Sequence, residues 1–223
     1  MLKLYTSEQM RDAELRAGTE YGISLSALMN NAGNALAQAA LDMKPDGCIN
    51  IFCGKGNNGG DGYVCAVVLL RRGLNVTVWG FGRDELSSDS LVGAAADAFE
   101  IAGGKIQPFT MDVSEVSSGC GLIIDALFGT GLQRPLAGLY AHAVGVINAA
   151  SAPVLSCDLP SGVDADTGRI MGTAVYADKT LMLGLAKQAC SLPPGSKCFG
   201  ESVLGDIGLP DELVAQYEPV RTQ

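Results

Sequence analysis

The glycine-rich segment Gly54–Gly62 reads GKGNNGGDG, and the glycines at positions 54, 56 and 59 have the G-x-G-x-x-G spacing of dinucleotide-binding turns. Glycine permits a tight turn and lets backbone amides approach a phosphate closely. Asn57, Asn58 and Asp61 add amide and carboxylate oxygens that an ordinary dinucleotide turn does not need. The segment therefore indicates a nucleotide site with a further polar partner; the alternative is a turn that is merely tight.

Two later segments, DALFGTGLQRP and DLPSGVDADTG, each open with an aspartate that follows an apolar run. In an open parallel sheet the ligand crevice lies beyond the carboxyl ends of the strands. Asp125 and Asp158 are therefore predicted to face one crevice, where Arg134 could clamp a phosphate. Asp125 could instead cap a turn. Asp164 and Asp166 could bind a metal, although aspartates in such turns more often cap backbone amides.

Short apolar runs alternate with helical segments along the chain, which is the pattern of βαβ units. Helices are predicted at residues 7–20, from Ser24 to the Pro45 turn, and at about 60–72, 88–102 and 139–149. Strands are predicted at residues 48–53, 76–79, 105–108, 122–127, 154–159 and 180–184, with an edge strand at 202–206. Residues 188–200 are predicted to form an irregular loop. The predicted fold class is α/β, a Rossmann-like three-layer αβα sandwich with a mainly parallel sheet and two extra N-terminal helices.

Composition narrows the possible partners and compartment. The 223 residues carry 24 acidic and 15 basic side chains, a formal net charge of -9, so neither nucleic acid nor a membrane is an expected partner. The seven cysteines are scattered and include no Cys-x-x-Cys pair, which disfavours a disulfide framework or zinc site and favours a cytoplasmic protein. The N-terminus lacks the apolar region of a signal peptide. We predict a single domain, 1–223.

The three motifs GNNGGDG, DALFGTGLQRP and DLPSGVDADTG, in this order, resemble those of the NAD(P)H-hydrate epimerase family. The resemblance extends through AKQA around Lys187 to GDIGLP near residue 210. Enzymes of this family interconvert the R and S forms of NADHX and NADPHX, which carry a hydroxyl at C6 of the reduced nicotinamide ring. The resemblance also implies a homodimer and, in many microbes, fusion to an NAD(P)H-hydrate dehydratase. We predict no dehydratase domain within residues 1–223, and whether the chain is a stand-alone protein or one half of a bifunctional protein stays open.

The resemblance further implies specific roles for residues of the three motifs. A potassium ion would be held by Asn58, Asp125 and Ser161. The hydrated dinucleotide would contact Asn57, Asn58, Gly59, Gly60, Asp61, Gly129, Thr130, Gly131, Leu132, Gln133, Arg134, Pro135 and Asp158. Oxygen ligands of these types suit a hard monovalent cation.

Asp158 is the predicted catalytic residue, because epimerisation needs only an acid that protonates the departing hydroxyl and then deprotonates the returning water. The alternative is a metal or ribose contact. We interpret Lys187 as a solvated loop charge, although it could orient the substrate, and His142 as a helix-surface residue. Arg83 near the second strand could meet a 2′-phosphate or only solvent, so the preference between NADHX and NADPHX stays open.

Two other functions compete with this hypothesis. One is a non-catalytic scaffold module. Related domains that serve in RNA metabolism have lost these acidic and glycine positions, whereas this sequence has them. The other is an NAD(P)-dependent oxidoreductase, which is disfavoured because no carboxylate stands directly at the end of the second strand to bind a ribose 2′-hydroxyl.

Overall fold

The structure is a computed structural model that describes residues 2–116 and 119–220. Its helices are α1 (Ser7–Tyr21), α2 (Leu25–Asp42), α3 (Asn57–Arg71), α4 (Leu91–Ile101), α5 (Gly138–Ala149) and α6 (Asp211–Val214). Its strands are β1 (Leu4–Tyr5), β2 (Cys48–Cys53), β3 (Val76–Gly80), β4 (Ile106–Pro108), β5 (Cys120–Ala126), β6 (Val154–Cys157), β7 (Lys179–Leu183), β8 (Ala186–Lys187) and β9 (Glu201–Gly205).

Seven strands form one sheet in the order β4-β3-β2-β5-β6-β7-β9, and every neighbouring pair that the structure describes is parallel. The carboxyl ends of these strands therefore meet at one edge. The strand order reverses between β2 and β5, which is the topological switch point where ligands bind in open α/β sheets. The predicted sheet is confirmed, and the predicted edge strand is β9.

Helices cover both faces of the sheet. Helices α1 to α4 share one hydrophobic core with β2 residues such as Ile49 and Ile51, while α5 packs with Phe52 and Ile123 on the opposite face. The described residues include no helix that is both long and apolar enough to span a bilayer. The predicted three-layer αβα architecture is confirmed.

The two N-terminal helices begin where their capping residues predict. Thr6 Oγ1 accepts a hydrogen bond from Gln9 N at 3.1 Å while Gln9 Oε1 accepts from Thr6 N at 2.9 Å, which is a complete capping box. Ser24 Oγ accepts from Ala27 N and caps α2. These caps satisfy amide groups that the first turn of a helix leaves unpaired.

Helix α3 starts three residues earlier than predicted, so the presumed glycine-rich turn is mostly helix. Only Gly54 to Gly56 form the turn, and Asn57–Arg71 is helical. The predicted start of this helix is too late because glycine disfavours helices. In the structure they permit close packing, since a Cβ placed on Gly59 would lie 1.9 Å from the Gly54 carbonyl oxygen.

Two features near the C-terminal half differ from the predicted loop structure. Strands β1 and β8, neither of them predicted, pair in parallel and place Tyr5 opposite Lys187. The predicted irregular loop contains two short 3-10 helices, Gln188–Ser191 and Gly195–Cys198, and a cis peptide bond before Pro194. Strands of two residues leave no periodicity in the sequence, so pattern analysis cannot detect them.

Candidate functional site

A cavity of about 390 Å³ opens at the carboxyl edge of the sheet, within the range typical of small-molecule sites. Its apolar wall comes largely from α1 and α2, including Met10, Leu28 and Met29. Its polar lining comes from the loops after four strands and from the helices above them. These polar residues are Arg11, Glu14, Lys55, Asn57, Asn58, Asp61, Thr130, Tyr140, Asp158 and Lys187.

A buried ion pair between Asp158 and Lys187 lies at one end of the cavity. Lys187 is only 1% exposed, and its Nζ also donates to the Leu183 carbonyl oxygen at 2.6 Å. Asp158 Oδ1 accepts from both Lys187 Nζ and Leu183 N. The interpretation of Lys187 as a solvated loop charge is therefore wrong, because the β1–β8 pairing holds this lysine inside the protein.

The backbone of Asp158 has φ +66°, in the left-handed region. A non-glycine residue pays a steric penalty there, and such residues cluster at functional sites. This conformation directs the chain away from β6 and lets Asp158 N donate to the Leu181 carbonyl oxygen at 2.8 Å. The carboxylate is thus held rigidly at the cavity wall.

Two further carboxyl groups share this end of the cavity. Burial raises the pKa of Asp61 well above its usual range, and the negative charges of Asp158 and Glu14 raise it further, against a lowering by Lys187. Burial also raises the pKa of Glu14. Glu14 was not predicted to be a site residue, yet it stands one helical turn after Met10, so the spacing of α1 contained the signal.

Gly129 brings the start of α3 together with the loops after β5 and β6. A Cβ placed on Gly129 would lie 2.9 Å from Asp158 Oδ2 and 3.2 Å from Asn58 Oδ1. Only a glycine lets these two side chains approach the β5 loop without moving. By contrast, a Cβ on Gly131 would meet nothing within 4 Å.

Asp125 and Ser161 lie behind the cavity wall rather than in it. Asp125 is 0% exposed, and its carboxylate accepts from Ser161 N at 2.8 Å, Ser161 Oγ at 2.6 Å and Ser156 Oγ at 3.0 Å. Burial raises the pKa of Asp125, and these hydrogen bonds oppose the rise. The prediction that both strand-end aspartates face the crevice holds for Asp158 and is wrong for Asp125.

The predicted potassium ligands differ in how well their polar atoms are satisfied. In residues 2–116 and 119–220 no basic side chain pairs with Asp125, so its charge has only neutral donors. Asn58 Nδ2 is buried without a hydrogen-bond partner. A buried carboxylate without a counter-charge is costly, and a monovalent cation bound by oxygens fits this environment. The described residues contain no cluster of three His, Cys, Asp or Glu that could hold a metal by those ligands alone.

The other predicted contact residues divide into two groups. Thr130 and Gly131 line the cavity together with Asn57, Asn58 and Asp61. Six do not line it, and their contact with a dinucleotide stays a prediction: Gly59, Gly60, Leu132, Gln133, Arg134 and Pro135. Arg134 is exposed and does not line the cavity.

Three residues whose roles the sequence does not decide make contacts within the fold. Arg83 forms ion pairs with Asp97 and Glu100 on α4. Asp164 Oδ1 accepts from Thr167 N at 2.8 Å, as a turn cap. His142 is half-buried and its Nε2 lies 2.7 Å from the Val113 carbonyl oxygen. None of these side chains lines the cavity.

The fold and the site define a Rossmann-like domain with a ligand-sized cavity at its switch point, and comparisons with known proteins agree with the fold. The family described as "YjeF-related protein N-terminus" matches residues 25–189. A crystal structure of yeast ynu0, YNL200c, superposes with a TM-score of 0.76 over 100% of this chain and 97% of that one at 21% identity, which establishes the fold.

Curated relatives are similar along nearly the whole chain. The "NAD(P)H-hydrate epimerase" of Rhodopirellula baltica is 34% identical over 95% of this chain and 87% of its own length, and that of Elusimicrobium minutum is 32% identical over 96% and 100%. The "Bifunctional NAD(P)H-hydrate repair enzyme Nnr" of Thermofilum pendens is 35% identical, but the chain spans only 41% of it. The chain therefore belongs to the NAD(P)H-hydrate epimerase family, as its motifs predicted.

Proposed function

We propose that this protein epimerises the R and S forms of NADHX and NADPHX as a step of metabolite repair. The observation that carries the proposal is the buried Asp158–Lys187 pair, held by a left-handed backbone at the wall of the cavity. The names of the relatives that match most of their own length support the same activity. The cavity provides a proton-transfer pair and, at the start of α3, backbone amides suited to a pyrophosphate.

The reaction requires the hydroxyl at C6 to leave and return on the opposite face. The departing oxygen takes the C–O electron pair and a proton from the Asp158–Lys187 pair, while the ring nitrogen lone pair forms a C=N bond. Water then adds to C6, the C=N electrons return to nitrogen, and the proton returns to the pair. Asp158 is the acid and base that exchanges the proton with the C6 oxygen. Lys187 holds the Asp158 carboxylate and supplies it with the proton that the two groups share.

An epimer assay tests this function. The protein is mixed with separated S or R NADHX, and the two forms are followed by chromatography. We expect equilibration far faster than in buffer, and no absorbance change from hydride transfer with NAD(P). A scaffold module would leave the rate at the buffer value, and an oxidoreductase would change the absorbance.

We propose that a potassium ion is held by Asn58, Asp125 and Ser161. The buried Asp125 carboxylate, with which no basic side chain of the described residues pairs, supports this assignment, and Asn58 would contribute its side-chain oxygen. When bound, the ion would offset the negative charge that Asp125 and a dinucleotide pyrophosphate bring to the site. The three protein groups would join the start of α3, the end of β5 and the loop after β6.

Potassium is expected to raise the melting temperature relative to sodium or lithium at equal concentration. An ion at about 100 times its Kd adds about 2.7 kcal/mol, and a chain of this size gains about 2–4 °C per kcal/mol. Asp125→Asn should remove the difference between the ions, whereas Asp164→Asn, at a half-buried turn residue outside the cavity, should keep it. Equal melting temperatures in all three salts would contradict a potassium site.

We also propose that the protein is a cytoplasmic homodimer that acts with an NAD(P)H-hydrate dehydratase. Its seven free cysteines support a reducing compartment. Leu15 and Leu25 are exposed by 63% and 47% on the N-terminal helices. A second copy of the chain would cover these apolar side chains in a homodimer. The match to part of a bifunctional repair enzyme supports the dehydratase partner.

A further inference from the structure

A stack of aromatic rings runs through the side of the fold that carries α5. The ring of Phe109 stacks on Phe81 with centroids 5.0 Å apart and planes inclined by 18°. Phe81 in turn stacks on Tyr140, at 4.9 Å and 14°. Phe128 meets Tyr140 edge to face at 4.7 Å. Nearly parallel planes at these separations are the favourable geometry for aromatic pairs.

The stack ends at the cavity. Phe81 and Phe109 are 1% and 3% exposed, whereas Tyr140 and Phe128 are half-buried and line the cavity. Among the residues described, these two are the only aromatic side chains in the cavity lining. The last ring of the stack is therefore accessible from the cavity.

The Tyr140 end of the stack is separated from the Asp158–Lys187 pair along the sheet. Asp158 follows β6 and Lys187 lies in β8 just beyond β7, while Tyr140 rests on Phe81, directly after β3. From β6, which Asp158 follows, to β3 the sheet crosses three strand intervals, which is about 14 Å at the usual spacing of about 4.8 Å. The N-terminus of α3 follows β2 and lies between the two ends.

A hydrated dinucleotide has two different ends that can be matched to these positions. Hydration saturates the C5–C6 bond of the nicotinamide ring and creates the reacting carbon, which belongs beside the proton-transfer pair. The adenine at the other end keeps a full π-face. Stacking of a base on an aromatic side chain is favourable whatever the base.

We propose that Tyr140 is the stacking platform for the adenine of the dinucleotide, so that the purine adds one more ring to the Phe109–Phe81–Tyr140 stack. The inference rests on the proposed function, and it orients the substrate. Adenine lies toward β3, the pyrophosphate lies at the start of α3, and the hydrated ring lies toward β6 and β7. Lys55, at the cavity rim beside Glu85, is the cation on the adenosine side.

The experiment compares Tyr140→Leu, which keeps an apolar side chain without a π-face, with Tyr140→Phe, which keeps the ring. Tyr176→Leu, at a tyrosine 58% exposed outside the cavity, is the control. Calorimetry measures the binding of AMP, and kinetics compare NADHX with the hydrate of reduced nicotinamide mononucleotide, which lacks adenosine. Melting curves establish that each variant is folded.

We expect Tyr140→Leu to weaken AMP binding about tenfold or more, and Tyr140→Phe to bind AMP much more tightly than Tyr140→Leu. The ratio of kcat/KM for NADHX over the mononucleotide hydrate should fall by a similar factor in Tyr140→Leu, and should not fall in Tyr176→Leu. Equal AMP affinity in the Phe and Leu variants, or an unchanged ratio, would overturn the adenine platform. If the unaltered protein epimerises neither hydrate, the proposed function fails instead, and the AMP measurement still decides the platform.

Discussion

Asp158→Asn is expected to slow epimerisation by about 10²- to 10⁴-fold, the usual contribution of a positioned acid or base. Asparagine fills the same space but can neither release nor take up the proton that the C6 hydroxyl requires. The measurement is the initial rate of interconversion from one purified NADHX epimer. A folded Asp158→Asn protein with the full rate would remove Asp158 from catalysis.

The same substitution should also lower stability, which must be separated from the effect on rate. It leaves the Lys187 ammonium, 1% exposed, without its counter-charge, and breaking a buried ion pair in this way costs about 3–5 kcal/mol. Adding Lys187→Met should recover much of the melting temperature and none of the activity. Asp164→Asn, the same chemical change in a turn outside the cavity, should affect the rate little. Recovery of activity in the double variant would contradict a catalytic role for the pair.

Gly129→Ala is expected to lower kcat/KM by about tenfold to 100-fold, because a displacement of about 1 Å at a catalytic group can cost 10²-fold. The added methyl group would lie 2.9 Å from Asp158 Oδ2 and 3.2 Å from Asn58 Oδ1, so both side chains must shift. The backbone of Gly129 has no positive φ, so alanine brings no backbone strain. The effect should therefore appear in the kinetics more than in the melting temperature.

Gly131→Ala is the matched control for this prediction. Gly131 lies two residues further along the same loop and also lines the cavity, but its Cβ would have no neighbour within 4 Å. If both alanine variants lose activity equally, the loss follows from stiffening the loop and not from displacing Asp158.

The sequence predicted the sheet and the layers well because each buried strand is a short apolar run between turn residues. It predicted the start of α1 and α2 equally well, since Thr6 and Ser24 are strong capping residues. The start of α3 was misplaced because Gly59 and its neighbours oppose helix formation by propensity. Tertiary packing against Gly54 overrides that preference.

The motifs of the site could be predicted from the sequence, but the burial of its individual side chains could not. Asp158 follows a recognisable strand, whereas the burial of Lys187 depends on a two-residue pairing between β1 and β8 that joins distant parts of the chain. Likewise, Asp125 has the same pattern as Asp158, yet Ser161 and Ser156 enclose it behind the wall. Contacts between residues far apart in sequence leave no local signal.

The most direct measurement of the central claim follows one purified epimer of NADHX incubated with the protein in ¹⁸O-labelled water. If the C6 hydroxyl leaves and water returns from the opposite face, equilibration is many times faster than in buffer and the inverted epimer carries ¹⁸O at C6. Interconversion at the buffer rate would contradict the epimerase function, and fast inversion without label would contradict departure and return of the hydroxyl.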